Sequence, residues 1–232
     1  MEATSDLLQD FSALTAKKQL AEIPALVNKG ELGFKCLRDY LLSQQDEEPT
    51  PVMGRIIQVL NQNQTSDNLL FLQQEFPEGV VELTSTRGVD YQEIQDKLIE
   101  EDFLEADLLT VRKMWELAGA SAVKRKWLYF TEVERFPAHD LYMIDLLWRV
   151  YSGGKFGFSV QRKIWLSLGK NFNSLWDKIA WRKGRTFARY PSAFTWSLDA
   201  PRGHLPTTNQ LRGTKVILAL FQHPAWQKKD EV

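Results

Sequence analysis

Residues 5–44 carry apolar side chains at helical spacing. Leu7, Leu8, Phe11 and Leu14 form one face, Leu20, Ile23, Leu26 and Val27 the next, and Phe34, Leu37, Tyr40 and Leu41 a third. Asn28-Lys29-Gly30 supplies a stop between the second and the third. A loop over residues 46–51 follows, and residues 52–61 and 68–76 predict two more short helices. Residues 1–80 thus predict a small bundle of about five helices. It is close to a two-helix repeat but lacks a period regular enough to define a solenoid.

Phe76-Pro77-Glu78-Gly79 breaks this pattern, and residues 80–88 read as a β-prone linker rich in Thr and Ser. The predicted domains are therefore 1–80 and 88–232. Asp90 caps a helix running to residue 99, and Asp102 caps another running to residue 117. The acidic start of the second, Glu101, Asp102, Glu105 and Asp107, complements the helix dipole and predicts a solvated face. A divalent-cation site is the alternative reading of these carboxylates.

Residues 140–151 predict a helix that is apolar nearly all round, interrupted only by Asp140, Asp145 and Arg149. So thin a polar stripe requires cover on most sides, which makes this helix the hub of the second domain. Asp140 is placed to cap its start, and Gly153-Gly154 to end it in left-handed backbone. Helices are expected over residues 159–168, 174–181 and 206–222. Pro206 opens the last and His223-Pro224 closes it. Residues 182–185 and 190–196 read as long ordered loops of the kind that carry function. No alternating strand pattern occurs beyond residues 80–86, so the fold class is all-α: a small N-terminal bundle and a C-terminal helical core with long ordered loops.

Charge sharpens the division. The net charge of −1 hides 10 basic against 22 acidic residues in 1–123 and 19 against 8 in 124–232. All eight Trp lie at or after Trp115. An acidic first half and a basic, aromatic second half suggest an anionic partner for the second. Cys36 alone excludes an intramolecular disulfide, fits a reducing compartment and reads as a packing residue. The acidic first residues predict no secretory signal. The apolar run at 216–221 is too short to span a bilayer, and the expected location is cytoplasmic.

Catalytic signatures are absent. Gly153-Gly154-Lys155 lacks the frame of a P-loop, with Arg149 where the first Gly belongs and Phe156 where Ser or Thr belongs. Glu132 and Glu134 are acid and base candidates only as a pair on one short segment. His139, His204 and His223 flank helix ends, where caps compete with axial ligation of a haem. What remains is binding. Aromatic and basic residues alternate from Phe156 through Trp196, and over half of the Trp are expected in the core. The functional reading is a groove for a flat, apolar anion, with aromatic walls on its faces and guanidinium groups on its carboxylates. A helical scaffold whose aromatics are only core is the alternative. Single-stranded nucleic acid asks for similar residues but for a denser basic stripe, and none is expected here.

The segments WLYFTEVERFPAHDLYMIDLLWRVYSGGKFGFSVQRKIWL and AFTWSLDAPRGHLPTTNQLRG closely resemble the genomes-uncoupled-four family, over roughly residues 90–226. The N-terminal bundle resembles the extra domain of its cyanobacterial members. The resemblance implies an all-α core with a cupped groove for protoporphyrin IX and Mg-protoporphyrin IX, in a non-enzymatic activator of magnesium chelatase in chlorophyll synthesis. It implies the porphyrin-binding H subunit as partner, no prosthetic group, and a monomer that can associate peripherally with photosynthetic membranes. Binding roles carry over to Phe130, Phe158, Phe194, Asn209 and Arg212. Arg212 is the expected propionate partner, and Asn209 would hold a water beneath a bound Mg²⁺. Arg189-Tyr190-Pro191 stands where some relatives have Arg-Trp-Pro, and Lys215 where an Arg can follow. Tyr190 can stack on a macrocycle and adds a hydroxyl, whereas Lys215 offers a point charge without the guanidinium fork. One wall of the groove is expected from the Phe130 segment and residues 153–158, the other from residues 189–196 with Asn209 and Arg212.

Overall fold

The computed structural model describes residues 2–208 and 213–227. Among these are thirteen α-helices and one two-stranded ribbon, so the chain is all-α. It divides into two compact units, residues 1–82 with 150–153, and residues 83–149 with 154–232. No helix among the described residues is long and apolar enough to cross a membrane.

The first unit holds α1 (Glu2–Ser12), α2 (Ala16–Val27), α3 (Glu31–Ser43), α4 (Pro51–Gln62) and α5 (Ser66–Glu75). The five follow the apolar spacing of the sequence. Thr50 and Thr65 cap α4 and α5 through their hydroxyls, each accepting a backbone N–H at 3.3 Å. Phe11, Ile23, Leu26, Leu37, Ile56 and Leu60 fill the core. Cys36 is fully buried, and burial pushes its thiol up to about 11, which suits a packing residue. Buried Gln19 ties α2 inward, donating to the Phe11 carbonyl at 3.1 Å and to the Tyr40 hydroxyl at 3.3 Å. Helices α2 and α3 approach so closely at Gly33 that a Cβ there would lie 1.8 Å from the Leu26 carbonyl oxygen.

The second unit holds α6 (Gln92–Ile99), α7 (Phe103–Ala118), α8 (Ala120–Arg125), α9 (Phe130–Val133), α10 (Ala138–Val150), α11 (Phe158–Ser167), α12 (Phe172–Lys178) and α13 (Lys215–Gln222). Strands β1 (Arg182–Lys183) and β2 (Thr186–Phe187) pair antiparallel around Gly184, where the sequence pattern predicts only loop. A ribbon this short leaves no alternation to read. As expected, α10 is buried: Leu141, Ile144, Leu147 and Trp148 are fully covered, and Gly153 and Gly154 end it at positive φ.

The polar interruptions of α10 are not a solvated stripe. Asp140 sits inside the helix instead of capping it. Its carboxylate accepts from the Tyr91 hydroxyl at 2.8 Å, the Thr86 N–H at 3.0 Å and the Ser85 hydroxyl, and so holds the start of the unit. Burial, reinforced by this carboxylate, pushes the Tyr91 hydroxyl far above its usual range. Asp145, also buried, accepts the Arg149 Nε–H at 2.7 Å and the Ser159 N–H at 2.7 Å, capping α11 from a neighbouring helix. A Cβ on Gly157, at φ +130°, would meet Asp145 Oδ1 at 2.7 Å, so only glycine leaves the cap room.

A third buried carboxylate corrects the reading of α7. Asp107 belongs to the acidic helix start predicted to face water, yet it is 0% exposed. It accepts the Thr207 N–H at 2.6 Å, the Thr207 hydroxyl at 2.7 Å and the Tyr190 hydroxyl at 3.3 Å. The Pro206 carbonyl accepts from Gln161 Nε2 at 2.8 Å. With these backbone groups held by tertiary partners and Gly213 at φ +86°, the last helix starts at Lys215 and not at Pro206. Of the expected face joining Asn209, Arg212 and Val216, only Val216 is described, on α13; Asn209 and Arg212 lie outside the described residues.

Two predictions follow the packing. Gly33→Ala should destabilise the first unit by roughly 1–3 kcal/mol, because a backbone carbonyl stands where the methyl must go; an unaltered melting temperature would contradict this. Burial pushes the Asp107 carboxyl up to about 6 from an ordinary 3.8, against the pull of the Thr207 and Tyr190 donors. A carboxyl raised on folding keeps its proton longer in the folded state, so its contribution to stability is present at low pH and lost as pH rises from about 4 to about 6. The unfolding free energy of Asp107→Asn relative to wild type should accordingly shift by about 3 kcal/mol in favour of the variant between about pH 4 and pH 7. Denaturant titrations giving the same difference at both ends would refute the assignment.

Candidate functional site

The second unit contains a cavity of about 1050 Å³. Helix α7 supplies one wall: Leu108, Val111 and Trp115 recur at i, i+3 and i+7 on one helical face, with Arg112 beside them. A second wall is the strap from Lys126 to Phe130. A third is the chain from Phe187 to Tyr190 with Phe194. Asp107, Thr207 and Thr208 line it further, and Lys215 and Val216 bring the start of α13 to it.

Each wall is fixed from behind. Lys126, at φ +58°, ends α8 in left-handed backbone and turns the strap. Arg125 Nη2 donates to both oxygens of Glu132, at 2.9 and 2.7 Å, and to the Trp127 carbonyl at 3.0 Å. The same guanidinium stacks 4.7 Å from the Trp127 ring centroid and 4.3 Å from that of Tyr129. Glu132 also accepts the Tyr129 N–H at 2.7 Å. This carboxylate, an acid–base candidate from sequence, is thus engaged in holding the strap. Beyond it, Lys215 Nζ lies 5.2 Å from the Phe130 ring centroid.

The third wall rests on an aromatic cluster. Tyr190 meets Phe194 and Trp196 edge-on at 5.8 and 5.7 Å, and Phe194 leans on His204 at 5.2 Å. Trp181 stacks on Trp176 at 5.3 Å and donates its indole N–H to the His204 carbonyl at 2.7 Å. Burial, with Asp107 next, pushes the Tyr190 hydroxyl well above its usual range.

Among the described residues, four cations line the cavity, Arg112, Lys126, Arg189 and Lys215, against one carboxylate, Asp107. All four are exposed, whereas Asp107 is fully buried and occupied by its three donors. The arrangement presents apolar rings along the walls and positive charge accessible to solvent. Among the described residues it contains no side chain in a nucleophile–base pairing. The histidines stand apart. His204 is held by the Ile179 carbonyl at 2.6 Å and the Thr195 N–H at 3.1 Å, and burial lowers its pKa. His223 is held by the Phe136 carbonyl at 3.0 Å and the Ala225 N–H at 3.1 Å, and His139 lies 2.7 Å from the Thr84 hydroxyl. None of the three lines the cavity.

Five of the sequence-derived site residues come together here: Phe130, Arg189, Tyr190, Phe194 and Lys215. Phe158 does not join them. Like Phe156 it is fully buried, and residues 153–158 make no part of the lining. Residues 155 and 157 are instead bound to residues 203 and 205, with Gly203 N–H to the Lys155 carbonyl at 2.9 Å and Gly157 N–H to the Leu205 carbonyl at 3.0 Å. Asn209 and Arg212 lie outside the described residues; Thr208 before them and Lys215 after them both line the cavity. The α7 face, Trp127 and Tyr129 were missed. Their only sequence signal was the i, i+3, i+7 spacing on α7 and the clustering of Trp after residue 115, which a core would also produce. Trp148, Trp165, Trp176, Trp181 and Trp226 are buried, so over half of the eight Trp are core, as expected.

Comparison with known proteins finds two family matches along the chain. A family model described as an ARM-like repeat domain, GUN4-N terminal, matches residues 2–77. One described as GUN4-like matches residues 84–224, which contain every residue lining the cavity. A Ycf53-like protein of Synechocystis sp. is 45% identical over 225 residues, 97% of this chain and 97% of that protein. The tetrapyrrole-binding protein, chloroplastic, of Arabidopsis thaliana is 38% identical over 147 residues, 60% of this chain and 56% of that protein. The structure of GUN4 from Chlamydomonas reinhardtii matches with a TM-score of 0.60 at 42% identity, over 64% of this chain and 95% of the other. From the near full-length identity to the Synechocystis protein and the family match across the cavity-bearing unit, the chain belongs to the GUN4-like family.

Proposed function

We propose that this chain is a non-enzymatic tetrapyrrole-binding protein whose ligands are protoporphyrin IX and Mg-protoporphyrin IX. The single observation that carries the reading is the cavity of about 1050 Å³, walled by Trp115, Trp127, Tyr129, Phe130, Tyr190 and Phe194 and lined by four exposed cations. A planar macrocycle offers two apolar faces to such rings, and its propionates need cations at the solvent edge. Arg112, Arg189 and Lys215 have the right charge for that edge, and Arg212 is proposed as a further propionate partner through the family resemblance. Asn209 is proposed, on the same ground, to hold a water below a bound Mg²⁺. The name of the Arabidopsis relative, a tetrapyrrole-binding protein, supports the ligand class. Within this proposal the protein acts with the H subunit of magnesium chelatase in chlorophyll synthesis, raising the rate of Mg²⁺ insertion without performing it.

The test begins with a water-soluble deuteroporphyrin. Trp115 and Trp127 line the cavity, so ligand bound there should quench tryptophan emission in a saturable titration, and the Trp115→Phe/Trp127→Phe variant should lose most of that quenching while still binding by porphyrin absorbance. Flat emission through micromolar porphyrin would instead leave a helical scaffold with an aromatic core. Lys215→Ala and Arg212→Ala should each weaken binding, by roughly 0.5–1 kcal/mol for the exposed lysine and roughly 1–3 kcal/mol for the arginine. Dissociation constants equal to wild type would remove these residues from the propionate edge. Addition of the wild-type protein to reconstituted magnesium chelatase should raise the rate of Mg-porphyrin formation, and the Arg212 variant should do so less.

A further inference from the structure

A second cleft in the same unit, of about 170 Å³, is bordered by α10 and α11 and is lined by none of the residues of the large cavity. Its lining carries four cationic side chains, Arg149, Arg162, Lys163 and Arg202, and one carboxylate, Asp145. Asp145 is 1% exposed and engaged by the Ser159 N–H and the Arg149 Nε–H, each at 2.7 Å. Its charge therefore acts inward, on Arg149 and on the start of α11, and among the described residues lining the opening four cations stand beside this one carboxylate.

Two of the guanidinium groups are held in place. Arg149 is fixed through Nε on Asp145 and lies 5.7 Å from the Tyr142 ring centroid. Arg162 is fixed through Nε on the Phe221 carbonyl at 2.8 Å, from α13. A guanidinium anchored at Nε is oriented before any ligand arrives, which lowers the ordering cost of binding an oxyanion. Lys163 and Arg202 are exposed and add charge at the entrance. The volume suits a tetrahedral oxyanion or a small ester of one, and is far below that of the large cavity. With Arg149 partly balanced by Asp145, the lining keeps a positive excess that a ligand with two negative charges answers better than a lone carboxylate does.

We infer that this cleft binds a phosphate dianion, as orthophosphate or as the phosphoryl group of a small phosphomonoester or lipid headgroup. The site is separate from the tetrapyrrole cavity and does not depend on that reading. The test uses the full chain at constant ionic strength made up with chloride. Orthophosphate should raise the melting temperature saturably, with a dissociation constant on the order of 1 mM. Lys163→Glu/Arg202→Glu alters only exposed side chains; it should weaken this response at least tenfold and leave porphyrin titration unchanged. If that variant fails to fold, Arg202→Gln alone should still weaken phosphate binding severalfold. Glycerol 3-phosphate and vesicles containing phosphatidic acid separate the sources: response to the first without vesicle binding assigns a soluble ester, and vesicle binding competed by glycerol 3-phosphate assigns a headgroup. A melting temperature unmoved by orthophosphate, or moved equally in wild type and the double variant, overturns the site.

Discussion

Buried carboxylates turned on backbone amides are what the second unit depends on. Its loops between residues 154 and 158 and between 188 and 208 lie outside regular elements, and their N–H and C=O groups must be satisfied when buried. Asp107, Asp140 and Asp145 supply acceptors, each on a long helix and each aimed at a different segment: residues 190 and 207, residues 85–91, and residue 159. Burying a carboxylate is costly, and the cost is recovered only where several donors converge. At Asp107 three donors do converge, yet its carboxyl is still pushed up to about 6, so desolvation outweighs them. The clasp is retained at a net electrostatic cost because it fixes where the chain runs.

The cavity follows from that course. Had residues 206–208 been helical, their carbonyls would have found partners within the helix. Asp107 and Gln161 capture the Thr207 amide and the Pro206 carbonyl instead, and the described helix begins only at Lys215. The walls are braced independently of any ligand: Trp127 and Tyr129 by Arg125 and Glu132, Phe194 by Trp181 and His204. Side chains already held in their binding positions lose little freedom when a flat ligand arrives.

What could be read in the sequence was what is local. Apolar spacing gave the bundle helices, the covered hub of α10 and the Asp102 cap, because periodicity and caps are set within a few residues. Asp107 was misread because a carboxylate in the first turns of a helix has the same local signature whether it faces water or an amide 100 residues away. The start of the last helix failed for the same reason, since Pro206 is a good first-turn residue until tertiary partners claim its neighbours. The aromatic loop at Phe156 and Phe158 shows the converse: exposed-looking chemistry that the fold buries, with Phe156 edge-on to Phe103 at 5.7 Å. One wall of the large cavity comes from an unremarked face of α7, and only packing separates such a face from core.

Tyr190 joins these two themes. The Tyr190 hydroxyl reaches Asp107 at 3.3 Å while its ring borders the cavity and meets Phe194 and Trp196 edge-on. The ring is thus tethered at its far end by the same carboxylate that pins Thr207. A Trp in its place has no hydroxyl at the ring tip, and Asp107 would have to recover a donor from water or from its own proton. With the carboxyl already pushed up to about 6, losing one donor would favour the protonated form at still higher pH. The phenol at residue 190 is therefore coupled to the buried acid behind it.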